Sequence, residues 1–140
     1  MIQIEIMTEE YVPLYATEGS AGADLKSMIR YKLDPGKRAL IPTGIKLAIP
    51  VGYEVQIRPK SGLAIKHGIT ITNSPGTVDS DYRGEIKVML QNTGDMPFVI
   101  NKGDKIAQMV AAKVEAAMFV KVKELSNTER GTGGFGSTGI

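Results

Sequence analysis

The chain has 140 residues, 42% hydrophobic and 23% charged, which suits a single soluble domain able to bury a core without metals or disulfides. Seventeen Lys and Arg against fifteen Asp and Glu leave a net charge of +2, too little on its own to mark a nucleic-acid binder. Having no cysteine and one histidine excludes thiolate and multi-histidine metal sites and removes any reason to invoke an oxidising compartment.

The opening MIQIEIM has no basic region ahead of an apolar run, so it does not read as a signal peptide. No apolar stretch approaches the length of a membrane span, and a cytoplasmic setting is expected. Ile2, Ile4 and Ile6 alternate with polar residues, the pattern of a strand with one buried face. The same period recurs at Ile45, Leu47 and Ile49, at Tyr53, Val55 and Ile57, and at Ile86, Val88 and Leu90. Turn signals at Pro35-Gly36, Pro42-Thr43-Gly44, Pro50-Val51-Gly52, Pro75-Gly76 and Asn101-Lys102-Gly103 cut the chain into strand-length pieces. The pattern predicts an all-β protein of short antiparallel strands, a sandwich, jelly roll or barrel. Lys105 to Met118 carries several Ala and reads as helix or strand alike, since Val110, Val114 and Val120 to Val122 fit strands equally well. From Ser126 onward the hydrophobic pattern stops, which predicts a body over residues 1–125 and a tail over 126–140.

Three stretches follow neither pattern: GSAGADL (Gly19 to Leu25), RPKSGLAIKHG (Arg58 to Gly68) and NSPGTVDSDYRGE (Asn73 to Glu85). Each sets small residues beside carboxylates, hydroxyls or cations, leaving backbone N–H groups open to a ligand. Asp24 reads as a turn carboxylate after Gly22 or as a ligand to a hard cation or its waters. Lys60, Ser61 and Gly62 could form an anion cradle, although such tripeptides are common. Asp79 and Tyr82 read as a polar hairpin tip, or as a general base beside a phosphate with an aromatic face for a sugar. Lone His67 reads as a surface or packing residue. There is no Walker-type loop and no spacing for a Ser-His-Asp set.

SAGADL, RPKSGLAIKHG, GTVDSDYRGE, GDKIAQM and RGTGGFGSTG, in that order from Tyr15 to Gly139, closely resemble the five signature motifs of the homotrimeric dUTPase family. The resemblance implies a distorted jelly-roll or β-clip barrel that assembles as a homotrimer with active sites shared between subunits. It implies Mg²⁺-assisted hydrolysis of dUTP to dUMP and pyrophosphate, supplying dUMP for thymidylate synthesis and keeping uracil out of DNA, with no nucleic-acid or membrane partner. Asp79 would be the general base, and Tyr82 would pack on the deoxyribose and exclude a 2′-hydroxyl. The hairpin, with Asn73, Gly76 and Val78, would read the uracil edge. Lys60, Ser61, Gly62 and Gln108 would hold the phosphates or the attacking water, and Asp24 would meet water on the Mg²⁺. The glycine-rich tail would close over another subunit's site, Phe135 stacking on uracil, Arg130 meeting the γ-phosphate, and Gly136, Ser137 and Thr138 completing the contacts. One departure stands out: Lys60 occupies a place where the family usually has Arg, which keeps the charge and gives up bidentate geometry. Two other readings compete, a dCTP deaminase of similar fold and a regulatory protein gated by the nucleotide.

Overall fold

Where hydrophobic residues alternate the chain extends, and the structure, a computed structural model, describes residues 1–139. Ile140, the last residue of the expected tail, lies outside the described residues. In chain order the elements are β1 (Glu5–Thr8), β2 (Leu14–Tyr15), β3 (Ala23–Lys26), β4 (Tyr31–Leu33), β5 (Arg38–Ala48) and β6 (Tyr53–Arg58). There follow α1 (Ser61–His67), β7 (Ile69–Ile71), β8 (Gly76–Val78), β9 (Ile86–Asn92), β10 (Phe98–Ile100) and β11 (Lys105–Lys113).

The strands pair antiparallel in three sheets: β1-β5-β9-β7, β2-β3-β11-β6-β8, and the ribbon β10-β4. Alternate residues of each large sheet face one shared core. Ile41, Ile45, Leu47, Val88 and Leu90 come from the first sheet, Leu25, Val55 and Ile57 from the second, and Leu33 and Ile100 from the ribbon. Each such side chain gains about 1.5–3 kcal/mol from leaving water. Asn92 ends β9 inside this core with every polar atom engaged: its amide donates to the carbonyls of Leu33 and Met96 at 2.9 and 2.8 Å and its oxygen accepts from Gly94.

The architecture is all-β as expected, but among the described residues the strands do not close into a barrel. The terminal strands β1, β2, β7 and β8 have only two to four residues, too few ladder groups to seal one sheet to the other. Pro42-Thr43-Gly44, read as a turn, instead lies inside β5 as a bulge: pairing steps from Pro42 opposite Lys87 to Ile45 opposite Ile86. Burial of Thr43 explains the difference, because its hydroxyl can join the ladder by donating to the Ile86 carbonyl at 2.6 Å. The ambiguous stretch from Lys105 is strand through Lys113, and Val114 to Val122 belongs to no element.

The one helix among the described residues falls where a loop was read, at Ser61–His67. Gly68 ends it in the left-handed conformation at φ 67°, its N–H returning to the Ala64 carbonyl at 2.9 Å. A Cβ at Gly68 would stand 2.6 Å from the backbone nitrogen of Gly94, so glycine is required there twice over. His67 is exposed and rests its ring on Phe98 with centroids 4.9 Å apart, in line with the expected surface or packing residue.

Candidate active site

Strand β6 is the axis of the site. It lies between β8 and β11, with Ile57 opposite Gly76 on one side and Met109 on the other, and Arg58 opposite Gln108. Adjacent strands are about 4.8 Å apart, so the hairpin leading into β8 and the Gln108 row stand roughly 10 Å from each other.

On the β8 side, the connection from β7 turns back through Asn73 to the cis Ser74-Pro75 peptide, with Ser74 N–H donating to the Ile71 carbonyl at 3.1 Å. Gly76 is buried, and a Cβ there would come within 3.3 Å of both the Asn73 amide nitrogen and Ile57. The pocket beside it, about 190 Å³, is lined by Asn73, Gly76, Val78, Asp79 and Tyr82 together with apolar Ile57, Ile71 and Met89. That is below the ~300 Å³ at which small-molecule pockets typically begin. The Tyr82 N–H donates to the Asp79 carbonyl at 3.2 Å, a tight turn that keeps both residues, each exposed, on the lining of that pocket. Arg83 turns its guanidinium onto the same loop, donating to the carbonyls of Ser80 and Tyr82 at 2.6 and 3.1 Å.

On the other side, Gln108 of β11 lies opposite Asp24 of β3 and donates to the Pro59 carbonyl at 3.0 Å. Asp24 is therefore a strand residue and not a turn carboxylate. It is the one buried charged side chain among the described residues, at 9% exposure. Lys60 reaches one of its oxygens at 2.5 Å and Lys105 the other at 2.8 Å. Burial alone would raise the Asp24 carboxyl, but the hydrogen bonds and charges of Lys105 and Lys60 outweigh it and hold the group below its ordinary value. Ser61 and Gly62 follow Lys60 in the exposed first turn of α1.

Among the described residues no three acidic or histidine side chains converge on a point. With both Asp24 oxygens already paired with lysines, the described residues form no protein cage for a metal ion. The tail stays apart from both clusters. Within residues 126–139 every hydrogen bond ends inside the segment, Arg130 donates to the Gly133 carbonyl at 2.9 Å, and Phe135 is fully exposed. One chain thus gathers Asn73, Gly76, Val78, Asp79 and Tyr82 in one group and Asp24, Lys60, Ser61, Gly62 and Gln108 in its neighbour. Arg130, Phe135, Gly136, Ser137 and Thr138 remain outside both. Two residues that sequence reasoning passed over join the site, Lys105 and Glu85. Both stood within the quoted motifs, yet only the fold shows what they touch.

A family model described as dUTPase matches residues 8–139. The chain is 58% identical over 131 residues to a deoxyuridine 5'-triphosphate nucleotidohydrolase of Roseobacter denitrificans, an alignment covering 91% of this chain and 86% of that one. It is 53% identical over 142 residues to one of Fusobacterium nucleatum, covering 99% and 97%. Among solved structures, the Staphylococcus bacteriophage 80alpha dUTPase with dUpNHpp aligns over the whole of both chains with a TM-score of 0.93 at 24% identity. A mutant dUTPase from phage phi11 of S. aureus, whose structure concerns the coordination of a structural Mg(II) ion, aligns over 88% of this chain and 98% of its own with a TM-score of 0.81 at 22% identity.

Proposed function

The chain belongs to the dUTPase family, and on that premise we propose that it hydrolyses dUTP to dUMP and pyrophosphate. The observation that carries this reading is the turn that sets Asp79 and Tyr82 on the lining of one pocket with the Asn73 hairpin. Asp79 orients a water and takes its proton as the water oxygen attacks the α-phosphorus in line; the bond to the bridging oxygen breaks and pyrophosphate leaves. Placement supplies the rate more than basicity does. Gln108, Ser61, Gly62 and Lys60 hold the phosphates and the water.

Asn73 and the backbone from Gly76 to Val78 pair with the uracil edge. Cytosine would leave buried groups unpaired, a mismatch that can reach roughly 10⁴-fold. Thymine adds one methyl, which a loose pocket rejects only about 10- to 200-fold, so rejection of dTTP rests on the close backbone at Pro75-Gly76. The Tyr82 ring occupies the space of a ribose 2′-hydroxyl. Asp24 would meet a water on Mg²⁺, which when bound would supply charge neutralisation and a template for the triphosphate. The incomplete pocket is finished by the tail of another subunit in a homotrimer, through Phe135 on uracil and Arg130, Gly136, Ser137 and Thr138 on the phosphates. In the cell this yields dUMP for thymidylate synthesis and removes dUTP before uracil can enter DNA.

Pyrophosphate release from dUTP, dTTP, dCTP and UTP, with and without Mg²⁺, tests the base, sugar and metal assignments together. Rapid Mg²⁺-dependent release from dUTP alone is expected; ammonia from dCTP, or equal use of UTP, would overturn the reading.

A further inference from the structure

An aromatic ring on a loop excludes a hydroxyl only if the ring is held still, and Tyr82 is 45% exposed. Its hydroxyl donates to the backbone carbonyl of Glu85 at 3.0 Å. That carbonyl in turn is fixed from the sheet. The Glu85 carboxylate accepts the N–H of Gly44 at 3.0 Å, and the next residue's carbonyl, of Ile86, accepts the Thr43 hydroxyl at 2.6 Å. Both partners belong to the β5 bulge. Gly44 holds a φ of 70° there, Thr43 is fully buried and also accepts the Ile45 N–H at 3.3 Å, and the Met28 side chain packs over Gly44. The end of the Tyr82 loop is therefore stitched at two consecutive residues to a rigid internal strand, and one stitch is a charged side chain that also lines the pocket.

We infer that Glu85 is a positioning residue for sugar selection: by clamping its own backbone to the β5 bulge, it locks the Tyr82 ring where the 2′-hydroxyl of a ribonucleotide would lie. The inference rests on the reading of Tyr82 given above. It implies that discrimination against ribonucleotides is set in part by the bulge that breaks the β5-β9 register, a feature with no contact to substrate.

The test is kcat/KM for dUTP, UTP and dCTP, with melting temperature, in the wild type, Glu85→Ala, Glu85→Gln and Tyr82→Phe. Glu85→Ala and Tyr82→Phe should each lower the preference for dUTP over UTP about tenfold, the size of one net hydrogen bond, mostly through faster UTP turnover. Rejection of dCTP should not change. Glu85→Gln keeps an oxygen for the Gly44 N–H and should keep most of the preference. The inference is overturned if Glu85→Ala retains wild-type rejection of UTP, if it relaxes UTP and dCTP equally, or if Glu85→Gln falls as far as Glu85→Ala. Should Glu85→Ala fail to fold, Tyr82→Phe decides, and wild-type selectivity in that variant overturns the inference. A wild type that does not hydrolyse dUTP, or does not reject UTP, would instead overturn the functional reading.

Discussion

Asp79 and Asp24 are both carboxylates, and their surroundings give them different duties. Asp79 is exposed at the end of β8 and is free to face a water, while Asp24 is buried between two lysines. Asp79→Asn keeps size and polarity and loses the proton acceptor. Turnover should fall by about 10²–10⁴ while dUTP still binds by calorimetry, and near-normal turnover would remove Asp79 from the base role. For Asp24 the sign of the pH dependence follows from a folded-state carboxyl held below its unfolded value near 3.9. Its ion pairs contribute stability above that pH, and the contribution is lost as pH falls through the folded value. Wild type should melt above Asp24→Asn at pH 7 by a margin on the order of 1 kcal/mol, kept small because both lysines retain access to water. The margin should close on acidification below about pH 4, and a gap that widened there would contradict the pairing.

At the scale of elements, two irregularities shape the site. The β5 bulge anchors the loop that carries Tyr82, and α1 turns the chain between β6 and β7 so that Lys60 meets Asp24. The helix is short and has no buried residue and no side-chain cap at its start, so it depends on its C-terminal closure. Gly68→Ala should therefore cost more than about 1–2 kcal/mol, from the left-handed backbone together with the 2.6 Å approach to Gly94. Thermal melting should show a loss of roughly 2–8 °C or more. A Gly68→Ala protein with unchanged melting would mean that α1 can re-close by another route.

Across the whole molecule, the last strand ends at Lys113, and Val114 to Leu125 carries exposed Met118, Phe119, Val120 and Val122. A row of exposed apolar side chains favours a partner surface, which the proposed homotrimer would supply. Beyond them the hydrogen bonds of residues 126–139 all close within the segment, and on the proposed function its glycines would let it order around the nucleotide at an entropic cost repaid on binding. Removing residues 130–140 should leave melting unchanged and lower kcat/KM for dUTP about 10²-fold or more, since positioning of the triphosphate would be lost. Full activity in that truncated protein would show the tail to be a loose end.

The β class, about half of the core and the five motifs are legible in the amino acids alone, because period-two alternation and turn residues act locally and each motif is contiguous. Ile45, Leu47, Val55, Ile57, Val88 and Leu90 are core residues as their spacing predicts. The sequence did not reveal the bulge at Thr43, the helix at Ser61, the open sheets or the lysine pair on Asp24. Each of these depends on groups far apart in the chain: the Thr43 hydroxyl on Ile86, the Gly68 turn on Gly94, and Asp24 on Lys60 and Lys105. Local pattern says that a residue is buried or sits in a turn. Which distant donor or charge it meets emerges only once the chain is folded, and with that how Tyr82 is held and why Asp24 stays ionised.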